Sequence, residues 1–334
     1  MSSIHDSGIS VTSISPSIPH SPAPGLWFKD GTLVLQAGAL SFRVYGGFLA
    51  DRSPVFHDML GFPQPEDAPT IDGCPVVQLS DDENDLRSFL KALFDYEFFP
   101  PYPAKTDFVT MSGIIRLSTK YQVESLRKRA LVHLSSAFPS DPTEYSPGSA
   151  SWTIEGHEWM RVILFAREMS LDWILPLALY RASAMCSSAQ VMSGIELDGI
   201  HLELNSADKL MCIEQSVALA KSASADIINF LWEPPVIATC RGVDDYERWR
   251  CMKSRFLCRK DAEGWRNGAF PLTLWMPGDW AQLDVCASCM SAMRAAHQQA
   301  LDTFWEGLPQ RFGFPGWAEL EKIKEIALER PNSA

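Results

Sequence analysis

The sequence predicts an α+β protein: a hairpin and small sheet covered by helices, followed by a mainly helical C-terminal region. Three observations carry that expectation. Between Leu26 and Leu79, short runs alternate apolar and polar residues with the two-residue period of strands. From Leu86 onward, apolar residues recur at i, i+3, i+4 and i+7, the spacing of one helical face. The order of hairpin, helix, strand, helix and helix pair also differs from the βαβ alternation of a parallel sheet. With 334 residues and 46% hydrophobic content, the chain is long enough for two compact domains.

Residues 1–24 read as a disordered Ser/Pro-rich leader, because too little apolar surface is present to offset chain entropy. A first ordered domain is expected over 25–139. It opens at Leu26-Trp27-Phe28, turns at Lys29-Asp30-Gly31, and forms a hairpin from Thr32–Leu35 and Leu40–Tyr45. Phe48–Leu60 reads as helix or helix-turn-helix, with Ser53 as N-cap and Pro54 at the first helical position. After a polar loop, Pro63–Gly73, comes a strand at Pro75–Leu79. Ser80–Glu83 reads as a capping box for a helix whose apolar face is Leu86, Phe89, Leu90 and Leu93. Two more helices carry Phe108, Met111 and Ile115, then Leu126, Ala130 and Leu134, and Phe138-Pro139 closes the domain.

Turn formers at 140–152 read as a linker, and 153–334 as a mainly helical region. There, Val162, Phe165, Ala166 and Met169 mark one helix, and a second begins at Pro176. A helix over 207–232 starts at Ser206 as N-cap, and 234–278 is loop-rich. The spacing of Leu301, Phe304, Trp305 and Leu308 predicts another helix, and Trp317–Leu328 a last one.

The net charge of −12 disfavours a whole-protein grip on nucleic acid or an anionic membrane. No stretch approaches the roughly 18–20 apolar residues of a membrane span. The first residues lack an apolar signal core, so an intracellular location, cytoplasmic or nuclear, is expected. The eight Cys are then expected to be reduced or metal-bound.

The run LWFKDGTLVLQAGALSFRVYGGFLADRSPVFHDML, followed by CPVVQLSDDENDLRSFLKALFDYEFF, resembles the BTB/POZ domain, in the version abundant in basidiomycete fungi. The shared pattern is an Asp-led first strand, a Phe-x-Val second strand, Leu-Ala-x-x-Ser-Pro-Val-Phe, then strand and helix. The resemblance implies a non-enzymatic adaptor that binds a protein partner or a second copy of itself. It places an interaction surface at Asp30, Phe48, Leu49 and Phe56, with the alternative that the three apolar residues fill the domain's own core. In the family, a basic residue after the second strand pairs with the Asp equivalent to Asp30. Here that place holds Tyr45 and Gly46, so any homodimer is expected to be weak or to depend on apolar contact instead of that charge pair. Cullin-3 recruitment, an alternative role in the family, uses a hydrophobic-x-Glu motif. The nearest match is Gln64-Pro65-Glu66, with a polar residue in the apolar position.

The remaining chemistry lies late in the chain. Cys286-x-x-Cys289 is preceded by Cys240, Cys251 and Cys258. Zn²⁺ takes four tetrahedral ligands, often thiolates, and one Cys-x-x-Cys pair offers two from a single turn. Three readings stay open at this stage: a structural zinc, redox use, or buried reduced thiols. The last follows because Cys286, Cys289, Met290 and Met293 also share one helical face. His297 is a further ligand candidate. Arg248, Arg250, Lys253, Arg255, Arg259 and Lys260 lie in a stretch without an acid, with Trp249 and Phe256 interleaved. Such a stretch suits a transcriptional regulator touching DNA through 248–260, or a solvated helix face. No set of acid, base and nucleophile stands out, so catalysis is not expected.

Overall fold

The structure is a computed structural model that describes residues 21–63, 69–145, 150–154, 156–234, 237–238, 240, 245–262 and 270–329. It is mixed α+β, with a five-stranded sheet, a separate two-stranded one and a helical C-terminal region. The chain divides into two compact units, one of residues up to Pro100 with Gly113–Arg127, the other of Pro101–Ser112 with Lys128 onward. Among the described residues, no helix is long and apolar enough to cross a membrane.

The first unit is built on β1 (Ser21–Trp27), β2 (Leu33–Ala37), β3 (Leu40–Val44), β4 (Thr70–Ile71) and β5 (Cys74–Gln78). They form one sheet in the order β1-β3-β2-β5-β4. The expected hairpin is present: β2 and β3 pair antiparallel, with Leu33 opposite Val44 and Leu35 opposite Phe42. β5 adds to β2 in parallel, with Val34 opposite Val76. The sheet starts earlier than the composition suggests. Ser21–Pro24, expected in the leader, belong to β1, whose Ala23 and Leu26 are buried. Pro22 and Pro24 are tolerated because β1 is an edge strand, where a missing N–H costs no ladder bond.

Helices α1 (Gly46–Arg52) and α2 (Pro54–Gly61) meet at Ser53 as the sequence predicts. The Ser53 hydroxyl accepts from Phe56 N at 3.1 Å and donates to the Tyr121 carbonyl at 2.5 Å. Helix α3 (Glu83–Phe94) is capped by a single residue rather than by the expected box. Asp82 accepts from Asn84 N at 2.9 Å and from Asp85 N at 3.0 Å. Glu83 instead reaches the β2–β3 turn, where its carboxylate accepts from Ala39 N at 2.6 Å. That close approach explains Gly38, whose φ is +53° and whose side of the turn a Cβ would drive into Glu83. Helices α4 (Phe108–Lys120) and α5 (Glu124–Ser135) follow as expected. Leu86, Phe89 and Leu90 are buried as the spacing requires. Phe56 and Phe89 pack on the Tyr121 ring at 4.4 and 5.6 Å. Burial, then the hydrogen bond to Asp81, holds the Tyr121 phenol far above its ordinary range.

The second unit contains α6 (Trp159–Glu168), α7 (Leu175–Met185), α8 (Ser188–Ser193), β6 (Ile195–Leu197), β7 (Ile200–Leu202), α9 (Ser206–Ala218) and α10 (Ser224–Ile227). It continues with α11 (Asp245–Ala262), α12 (Ala287–Glu306), α13 (Leu308–Arg311) and α14 (Trp317–Glu329). Helix α7 buries eight of its eleven residues, so it is a core element rather than an amphipathic surface one. The helix expected over 207–232 is broken by a π turn at Leu219–Ala223, and its N-cap is Asn205 instead of Ser206. Asn205 also donates to Asp208 at 2.7 Å, and Arg167 holds that buried carboxylate with two bonds of 3.2 and 2.7 Å. The described part of the expected linker packs into this unit. Ala150, Ser151 and Trp152 are buried, and the Trp152 indole donates to the His133 carbonyl at 3.0 Å.

Two elements differ from the sequence expectation outright. β6 and β7 form a hairpin across Asp198-Gly199, both at positive φ, in a segment read only as helical. Helix α11 occupies much of the segment read as loop-rich.

Candidate metal centre

Helices α11 and α12 bring the late cysteines together. α12 begins at Cys286, an extended N-cap whose carbonyl accepts the first helical bond from Met290 N at 2.9 Å. Cys289 then sits in the first turn, where helix N–H dipoles favour negative charge. Asp284 N donates to Ser254 Oγ of α11 at 2.8 Å, which fixes the approach to α12 against α11. Cys251, on the same helix, accepts from Cys286 N at 3.1 Å. Cys240 closes the group from a turn in which its N donates to the Ile237 carbonyl at 2.9 Å.

The Sγ atoms of Cys240, Cys251, Cys286 and Cys289 all lie within 4.8 Å of one another, and those of Cys240 and Cys286 are 3.9 Å apart. A zinc tetrathiolate with Zn–S bonds of about 2.3 Å has sulfur–sulfur edges of about 3.8 Å. The four thiols therefore need only a small contraction to enclose one ion. Cys251 and Cys289 are buried and Cys240 and Cys286 half-buried, and all eight cysteines of the chain are free thiols. Burial pushes the Cys251 and Cys289 thiols up from their ordinary range. A bound cation reverses that preference by stabilising the thiolates directly.

Cys258 is not part of the group. It lies on the same face of α11 as Cys251 but seven residues along, about 10.5 Å at 1.5 Å per residue. Its thiol points instead to the Gln282 carbonyl at 3.6 Å. His297 is also outside the group. It is buried edge-on against the stacked rings of Phe230 and Trp280 at 5.4 and 5.5 Å, and burial pushes its imidazole down to about 4. The alternative face of small hydrophobes is only partly realised, because Met290 is half-buried while Cys289, Met293 and His297 form the buried stripe. One contributor was not singled out beforehand for this site. Arg255, one turn after Cys251, is 4% exposed and donates to the Phe230 carbonyl at 2.8 Å. Burial pushes its guanidinium down from the ordinary range, and negative charge at Cys289, Glu233 and Cys251 opposes that shift. A tetrathiolate zinc carries a net charge near −2, so a buried guanidinium alongside offsets part of it.

The four residues expected on an interaction surface have different fates. Leu49 and Phe56 are 0% exposed and fill the core of the first unit, which removes them from any surface. Their helices turn those side chains inward and leave Asp51, Arg52, His57 and Asp58 exposed. Phe48 is half-buried, with its ring 5.0 Å from Phe94 and the Arg52 guanidinium above it at 5.4 Å. Asp30 is exposed and accepts from the Tyr45 hydroxyl at 2.8 Å. The bond to Asp30 raises the Tyr45 phenol above the ordinary range. Gln64-Pro65-Glu66 lies outside the described residues.

No protein-family model matches the chain, and no curated protein matches it either.

Proposed function

We propose that the chain is a non-catalytic protein-interaction adaptor, with a BTB/POZ-like first unit and a second unit tied together by one structural zinc. The observation that carries the zinc is the convergence of four thiols from three separated stretches of chain. Four cysteines complete a tetrahedral shell and leave no position for water or substrate, which favours a structural over a catalytic ion. Cys240, Cys251, Cys286 and Cys289 hold the metal. The Cys286 N–H bond to Cys251 and the Arg255 charge support the thiolates. The adaptor part is supported by the order of hairpin, capped helix pair, strand and helices that the resemblance implies. With Leu49 and Phe56 in the core, a second copy would meet Phe48 and the Asp30–Tyr45 edge.

Elemental analysis of the purified chain tests the metal: about one zinc per chain is expected, as for a closed four-thiolate site. A metal-free chain with an unchanged melt sinks this part. Light scattering across a concentration series tests self-association, with a concentration-dependent dimer expected. A strict monomer at the highest concentration removes the dimer.

A further inference from the structure

Helix α11 carries the thiol centre on one face and a different kind of surface on the other. Its buried stripe is Cys251, Arg255, Cys258 and Ala262. At about 100° per residue, Lys253 and Lys260 fall together on the opposite line, two turns apart. Trp249 and Phe256 flank that line on one side, Tyr246 and Leu257 on the other. All four are exposed, at 48, 61, 69 and 51% respectively. Few other described segments concentrate large apolar side chains on the surface in this way. Among the described residues, neither lysine enters an ion pair, although the stretch sits in a chain with a net charge of −12.

We infer that this face of α11 docks a peptide segment of a protein partner, one that carries carboxylates flanked by apolar side chains. The inference rests on the adaptor reading and names its partner chemistry. A row of ammonium groups between two apolar rows is complementary to a row of carboxylates between two apolar rows. Competing ligands fit less well. A nucleobase needs an open aromatic face to stack on, and the Lys253 ammonium covers that of Trp249 at 4.8 Å, which leaves only Tyr246 and Phe256 for stacking. Leu257 offers no ring at all. A helix lying in a membrane interface keeps its cations away from the middle of the apolar face, whereas here they run down the centre.

The test is a random-peptide display selection on the full chain with its zinc content verified, run in parallel on K253E/K260E. The expected result is enrichment of peptides with Asp or Glu beside apolar residues. One such synthetic peptide should bind the unaltered chain at least tenfold more tightly than K253E/K260E, about 1.4 kcal/mol. Phe256→Ala should also weaken it, and Lys322→Glu on α14 should not. Peptides enriched equally by both forms would leave the adaptor reading standing and overturn this face. So would an absence of acidic-apolar enrichment. Preferential binding of a labelled single-stranded oligonucleotide or of anionic vesicles, weakened by the same charge reversal, overturns it in favour of a phosphate ligand.

Discussion

The core of the first unit and the thiol region of the second are held by different means. In the first, buried Leu, Val and Phe side chains from the strands and from α1 to α3 share the work, and the polar contacts mostly finish helix ends. Around the thiols, α11 and the start of α12 are joined by a few directional contacts. These are the Cys286–Cys251 and Asp284–Ser254 hydrogen bonds and the convergent sulfurs, while the Arg255 bond to Phe230 ties α11 to the turn at Asn229–Leu231. Dispersed burial loses a few kcal/mol at any one site. A point closure concentrates its stability in one ion and fails as a whole when the ion leaves.

The largest effect should come from breaking the point closure. With zinc bound as proposed, Cys289→Ser or a strong chelator should remove metal-binding free energy on the order of 10 kcal/mol. Amide exchange in α11 and the first turns of α12 should then approach that of locally unfolded chain, while the first unit stays protected. Unchanged protection in α11 would mean that its packing suffices without the ion.

Dispersed burial is probed by Phe56→Ala, which leaves a cavity beside Tyr121. A loss of about 3–5 kcal/mol is expected in urea denaturation. A loss under about 1 kcal/mol would mean that the core there collapses to fill the space.

Acid should distinguish the regions next. The unfolded chain protonates His297 more readily than the fold does, because burial holds its imidazole near 4. Stability is therefore full above the ordinary pKa near 6.5 and falls as pH drops toward 4, by on the order of 3 kcal/mol in all. His297→Leu should flatten stability against pH in that window. A slope equal to that of the unaltered chain would assign the acid sensitivity elsewhere, to the thiols first.

The smallest effect is a single cap. Asp82→Ala should cost α3 about 1 kcal/mol, and Asp82→Asn should restore most of it. Equal melting of all three forms would show that the Glu83 contact to Ala39 fixes the helix start unaided.

Legibility in the sequence followed the same divide. Where burial is dispersed, it leaves a periodic trace, so the hairpin and the face of α3 were readable from spacing alone. The Ser53-Pro54 joint was legible because one hydroxyl and one imide fix it locally. The start of β1 was not, since Ser and Pro also compose disordered chain, and only pairing with β3 orders them here. The thiol group was half legible. Cys286 and Cys289 announce themselves by spacing, whereas Cys240 and Cys251 join through tertiary folding. Helix α11 was hidden because its outward face is as aromatic as a core face, which erases the apolar period. Once it is recognised as a helix, the axial distance excludes Cys258 without any further information. The β6–β7 hairpin carried an available signal, Asp198-Gly199 between Ile195, Leu197, Ile200 and Leu202, that was passed over.

The indoles of Trp305 and Trp317 lie nearly parallel, 5.1 Å apart and 20° from coplanar, and the second donates to the first residue's carbonyl at 2.7 Å. Two identical chromophores so close and so nearly aligned share their excited states instead of absorbing singly. The seam between α12 and α14 therefore has its own optical signature, a coupled tryptophan absorption and emission that no isolated indole gives. Spectroscopy alone can follow that seam while the thiols at the far end of α12 are loaded, stripped or oxidised.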